Sequence, residues 1–161
     1  LMGGLVAAYL ALKAATGTWP PRRTEFDNYT ASTLTITALM AAVTIEWAAY
    51  GIRKGFRGQA LFGFGIAFGL AVAFLNALAY LINGFEFAGG AHPYGTVVYA
   101  MTGTAFVVAT VATFAILLAG LRAVGHQLST DNYHLMRATA LLWHVALVAW
   151  VAVYYTVYIT K

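Results

Sequence analysis

The sequence predicts an all-α polytopic membrane protein, a bundle of five transmembrane helices, and three observations carry that reading. Five long apolar stretches occupy nearly all of the 161 residues. Hydrophobic residues make up 61% of the chain and charged ones only 9%, too few to clothe a soluble domain of this size. The mean hydropathy is +0.76, and a run of roughly 20 apolar residues is what a helix needs to cross a hydrocarbon core of about 30 Å. Function therefore lies in or beside the bilayer.

The spans are predicted at 1–16, 29–52, 58–83, 94–120 and 134–159, in one helical domain covering residues 1–161. Short loops make successive helices antiparallel neighbours. The first span is short and opens Leu1-Met2-Gly3-Gly4, which reads as a start inside a helix with a preceding segment missing. It lacks the basic flank of a signal peptide and leads into Trp19-Pro20-Pro21. Those prolines and the polar residues Arg22–Asp27 end the first span and open the second. There Asn28-Tyr29-Thr30 matches a glycosylation sequon, but Asn28 abuts a helix start, where Asn is an ordinary N-cap. Gly65 and Gly69 form a small-xxx-small pair in the third span, the pattern that lets helix backbones approach in lipid. Gly89-Gly90-Ala91-His92-Pro93 breaks the chain before the fourth, which Gly95, Ala105, Ala109 and Ala112 thin on one face.

Basic residues set the orientation. Arg53, Lys54, Arg57, Arg122 and Arg137 fall on one side, and Lys13, Arg22, Arg23 and Lys161 on the other. The fuller side is expected in the cytoplasm and the C-terminus outside. Tyr154, Tyr155 and Tyr158 are then expected in the outer aromatic belt. The net charge of +4 belongs to this topology, since the basic residues stand singly at helix ends, without the stripe of a nucleic-acid binder. With no Cys in the chain, disulfides, Fe–S clusters, thiolate metal sites and c-type haem attachment are excluded from it.

Few residues offer chemistry. Glu46, in Thr44-Ile45-Glu46-Trp47, is the carboxylate well inside a span, where a charge is expensive unless it is neutralised, hydrogen-bonded or turned toward protein. It is a candidate for a buried hydrogen bond or a proton-handling role. His144 lies between Trp143 and Trp150, seven residues apart on one helix face. His92, His126 and His134 fall in loops or at helix ends, so a second imidazole at matched depth for a bis-His haem is missing. Trp143, His144 and Trp150 are candidates for packing or lipid contact, and no catalytic or metal site is expected. A small transporter would need polar or broken helices near the midplane. Here Glu46, Asn76 and scattered Thr are the available groups.

The C-terminal residues Leu128-Ser129-Thr130, Leu135-Met136, Trp143-His144, Trp150 and Thr156-Val157-Tyr158 resemble the last helix of subunit III of the haem–copper (cytochrome c or quinol) oxidases. Leu1-Met2 with the Gly/Ala-rich helix and Trp19-Pro20-Pro21 is similar to an earlier helix of that family. Tyr94-Gly95-Thr96-Val97-Val98-Tyr99 with Thr102-Gly103 resembles the opening of its penultimate helix. The five-helix bacterial form of the family has the same number of spans and a closing helix that ends outside.

The departures are polar. The family's His-Gly-Leu-His motif falls near Ala105–Val108, its Asp between the two Trp residues is Leu147, and its acidic residue late in the third helix is replaced by Asn76 or Leu78. The resemblance implies an accessory, non-catalytic subunit in a bacterial inner membrane, packed on catalytic subunit I. It also implies haem and copper in partner subunits, lipid held between helices, and support of proton uptake. A subunit of another membrane redox complex, such as a nitric oxide reductase or a supercomplex, is the alternative within the same fold.

Overall fold

A computed structural model describes residues 1–16, 19, 27–85, 87, 90, 92–128 and 133–160. Among them the chain forms five α-helices: α1 (Met2–Ala15), α2 (Asn28–Arg53), α3 (Arg57–Asn83), α4 (Pro93–Val124) and α5 (His134–Val153), the last running on into a π-helical turn, Tyr154–Ile159. α2, α3, α4 and α5 with its π turn are long and apolar enough to cross a bilayer. α1 has 14 residues, about 21 Å of helix, short of a full crossing. Pro20, Pro21, Arg22, Arg23, Glu86, Gly89, Ala91, Ser129, Thr130 and Lys161 lie outside the described residues.

Local chemistry explains the helix ends. α2 is capped by Asp27, whose Oδ1 accepts from the Thr30 amide at 2.9 Å, so the cap sits one residue before the expected Asn28. The Thr30 hydroxyl also bonds this carboxylate. α2 and α4 both close by a Schellman motif. At α2 the Phe56 amide bonds Gly51 O at 2.8 Å, the Gly55 amide bonds Ile52 O at 3.1 Å, and Gly55 takes φ +76°. At α4 the Gln127 amide bonds Arg122 O at 2.9 Å and the His126 amide bonds Ala123 O at 3.3 Å. There a histidine, His126, takes the left-handed position at φ +58°. Arg57 holds that end: its guanidinium contacts the His126 ring and donates to Val124 O at 2.7 Å, a cation placed where the helix dipole is negative. α4 thus runs four residues past the predicted 120, to Val124, with Gly125 as its C-cap.

The helices pack through a core of small residues. Gly51 and Gly63 bring α2 and α3 together. A Cβ at Gly51 would lie 3.0 Å from Ala60 N, and one at Gly63 would lie 2.9 Å from Ala48 Cβ and 3.1 Å from Ala48 Cα. Gly65 and Gly69, expected to serve packing, face outward: a Cβ at either would meet nothing within 4 Å. Within the bundle that expectation is corrected, since the neighbouring helices lie on the face of Gly63, Ala67 and Ala71, the last two fully buried. Ala105, Ala109 and Ala112 are fully buried on α4, as their spacing predicts.

At the other end of the bundle Tyr9, Trp19 and Tyr94 pack edge to face, with Tyr9–Trp19 centroids 5.1 Å apart and Trp19–Tyr94 centroids 4.7 Å apart. Lys13 ties α1 to the end of the π turn by donating to Thr160 O. The tyrosines there do not form a common belt. Tyr155 faces out, Tyr158 is buried, and the Tyr154 hydroxyl meets Ser32 Oγ at 3.1 Å. The π turn rotates Thr156, Val157 and Tyr158 inward together.

Candidate functional site

α5 lies against α2 in two unlike halves. In the half near the C-terminus two indoles reach across. Trp143 Nε1 donates to Ala38 O at 3.1 Å, and Trp150 Nε1 donates to Thr35 Oγ1 at 3.0 Å. Both rings are buried, and Phe74 of α3 sits edge-on between them, 5.9 Å from one and 5.8 Å from the other. The seven-residue spacing of the two Trp residues therefore builds one aromatic seam joining α2, α3 and α5.

His144 turns to the flank of this seam, half-exposed. Its Nδ1 lies 2.6 Å from Ala140 O. A carbonyl only accepts, so Nδ1 carries the hydrogen and Nε2 is the basic nitrogen of the neutral ring. Glu46 Oε1 stands 4.0 Å from the same Nδ1, with side-chain exposures of 42% for His144 and 52% for Glu46. The two polar residues singled out separately in the sequence thus form one rung between antiparallel helices. At 4.0 Å it is an ion pair only when the imidazole is protonated.

Two hollows flank the rung. On one side Glu46, Arg53, Tyr133, Met136, Arg137 and Leu141 line a pocket of about 330 Å³. On the other, Met2, Val6, Val108, His144, Val145 and Val148 line an apolar groove of about 690 Å³ between α1, α4 and α5. Leu141 walls both. Where the resemblance would put a His-containing motif, Ala105 is buried and Val108 lines this groove. No cluster of three or more His, Asp or Glu suited to a metal occurs among the described residues.

The profile of the family described as Cytochrome c oxidase subunit III matches residues 7–161. The chain belongs to that family. It is 30% identical over 145 residues to cytochrome c oxidase subunit 3 of Anopheles gambiae, covering 88% of this chain and 55% of that protein. It is 28% identical over 144 residues to the protein of the same name from Cyanidium caldarium, covering 87% and 53%. For that of Gadus morhua the identity is 28% over 146 residues, covering 88% and 55%. The chain spans about half the length of the relatives it matches.

Within this family frame, Arg53 and Arg137 enter the sequence reading only as orientation signals, and their shared pocket escapes it. A signal is present nonetheless. Glu46 and Arg53 are seven residues apart on α2, and Arg137 and His144 are seven apart on α5. On antiparallel helices that spacing pairs both levels, a basic rung about 10 Å from the Glu46–His144 rung.

Proposed function

We propose that the chain is an accessory, non-catalytic subunit of a respiratory haem–copper terminal oxidase. It packs on catalytic subunit I and other subunits in a bacterial plasma membrane with its C-terminus outside, and haem and copper reside in the partners. The family match across residues 7–161 carries this reading. The outward face of α3 supports it further. Gly65 and Gly69 leave a shallow track there, flanked by exposed Phe62, Val72 and Tyr80 and by the amide of Asn76 late in the helix. Small residues that no helix among the described residues packs against suit the close approach of a partner helix.

In this role Trp143 and Trp150 hold α5 in register, and the groove beside His144 accommodates lipid acyl chain. The Glu46–His144 rung beside the arginine pocket is where this subunit supports proton uptake by the complex. Replacing His144 by Leu loosens the complex without changing the oxidase's haem spectrum, and an altered spectrum in intact complex would count against this structural role. The decisive experiment is a mild-detergent pull-down through this subunit, with an optical spectrum and mass spectrometry on the same sample. Reduced haem bands together with a large catalytic subunit are expected. A colourless preparation without a stable partner would sink the accessory reading and favour transport.

A further inference from the structure

One side of α5 and its π turn carries a line of oxidisable rings. Trp143, Trp150, Tyr154 and Tyr158 follow one another at helical spacings, which brings them onto a common side. Phe74 fills the two turns between the indoles, 5.9 Å from Trp143 and 5.8 Å from Trp150. Trp150 lies 6.4 Å from Tyr158, and Tyr158 lies 6.0 Å from Tyr154. The column therefore runs from the middle of the bundle to its C-terminal end with no step wider than two helical turns, about 10 Å. Its two ends differ chemically. The indole N–H groups of Trp143 and Trp150 donate to Ala38 O and Thr35 Oγ1, neutral buried acceptors that take no proton. Ser32 Oγ donates to Asn28 O at 2.8 Å and so accepts from the Tyr154 hydroxyl at 3.1 Å, at the exposed start of α2. An oxidised indole here keeps its proton and stays a strong oxidant. An oxidised phenol at Tyr154 has a way to release its proton to water, so the hole moves from Trp to Tyr.

We propose that this column conducts oxidising equivalents out of the bilayer interior, giving the chain an antioxidant activity toward lipid-derived peroxyl radicals. Leu141, Val145 and Val148 are exposed on the opposite side of α5, so acyl chains lie one helix width, about 10 Å, from both indoles. A peroxyl radical takes one electron from Trp143 or Trp150 and, with a proton from water, becomes the hydroperoxide. Tyr154 returns an electron to the indole and loses its hydroxyl proton past Ser32 to water, leaving a neutral phenoxyl radical. A water-soluble reductant of the ascorbate class then gives one electron and one proton, and the phenol is restored. The net reaction moves one hydrogen atom from that reductant to the peroxyl radical. The activity does not depend on the accessory role, because its residues and its test belong to this chain alone.

The test uses the full chain in nanodiscs of unsaturated phosphatidylcholine, with a lipid-soluble azo initiator as the source of peroxyl radicals. Radicals are read by electron paramagnetic resonance after freezing, and oxidised side chains by peptide mass spectrometry. Exposure alone would direct oxidation to Tyr29, Tyr80 and Tyr155, which are 83%, 69% and 57% exposed. The column instead predicts a phenoxyl signal and leading oxidation at Tyr154, both suppressed by ascorbate in the water phase. Trp150→Phe keeps a ring in place but interrupts the column. Oxidation should then fall severalfold at Tyr154 and rise at Trp143. If that variant does not fold, Tyr154→Phe removes only the hydroxyl, and the oxidation should move back to Tyr158 and Trp150. Oxidation that follows exposure and is unchanged in these variants, or the absence of a phenoxyl signal in the wild type, overturns the proposal.

Discussion

α2 meets α3 and α5 by opposite means. Against α3 it offers Ala48 and Gly51, and the backbones close until a single methyl would collide, as the 2.9 Å and 3.0 Å contacts at Gly63 and Gly51 record. Against α5 it offers Thr35 and the Ala38 carbonyl to two indoles, then parts from it to leave Glu46, Arg53 and Arg137 around a hollow. In lipid the hydrophobic effect does not drive one apolar helix onto another, so close contact and hydrogen bonds decide the packing. The first interface uses contact, the second uses bonds. The polar groups collect where the helices diverge, because only there can a charged side chain reach water, headgroup or partner.

The comparison breaks hardest at Gly63. Changing it to Val places branched carbons against the Ala48 backbone, and the α2–α3 pair must separate. The expected loss is about 2–3 kcal/mol or more, read as a fall in thermal stability of the detergent-solubilised chain. Next comes Trp143→Phe, which keeps the ring against Phe74 and deletes the donor to Ala38 O, for a loss of about 1 kcal/mol. Trp150→Phe should cost less, since the Thr35 hydroxyl keeps its own bond to Ala31 O at 2.9 Å.

Gly65→Ala and Gly69→Ala sharpen the contrast, since these glycines lie in the same helix without a neighbour. The isolated chain should hold its stability or gain about 0.5–1 kcal/mol from helix propensity, while co-purification with the proposed oxidase partner weakens. Equal destabilisation of the isolated chain by Gly63→Ala and Gly65→Ala would erase the distinction between the inner and outer faces of α3.

The smallest effect is at the Asp27 cap. The Thr30 hydroxyl, and then its amide, hold the Asp27 carboxyl below its ordinary value. Its contribution is therefore present above the unfolded-state carboxylate range and is lost as pH falls through the lowered folded value. Asp27→Ala should flatten that slight acid sensitivity of the α2 start, seen as faster amide exchange at residues 28–31 in the wild type at low pH only.

Composition and span length made the fold legible. Runs such as 58–83 leave a helix no alternative in lipid, and the observed α3 is Arg57–Asn83. Trp143 and Trp150 were legible as a common face because seven residues is two turns. Faces were harder to read. Gly63 and Gly65 lie two apart on one helix and therefore on different sides of it, and composition gives no sign of which side meets a neighbour. Nearness to the tight turn at Gly55 does not sort them either, since Gly58, closer to that turn than Gly63, meets nothing within 4 Å. Glu46 and His144 were both visible as unusual residues, but their meeting depends on the register of α5 against α2, across a gap of about a hundred residues that no local pattern fixes. The cap moved from Asn28 to Asp27 because either side chain can accept the same bond, and the one three residues before Thr30 did.

The two indole bonds also say something about the order in which the bundle is built. Gly51 and Ala60 are nine residues apart in the chain and joined by a turn, so α2 and α3 close a hairpin at little entropic cost. Trp143 and Ala38 are 105 residues apart, and Trp150 and Thr35 are 115 apart. Contacts at such separation must close long loops, so the α2–α5 seam forms after the α2–α3 hairpin. Until it does, Glu46 has no imidazole and Arg53 has no second arginine. The polar face of this protein thus comes into existence only in the finished bundle, and a partner or lipid that recognises it inspects, in the same act, whether the subunit has folded.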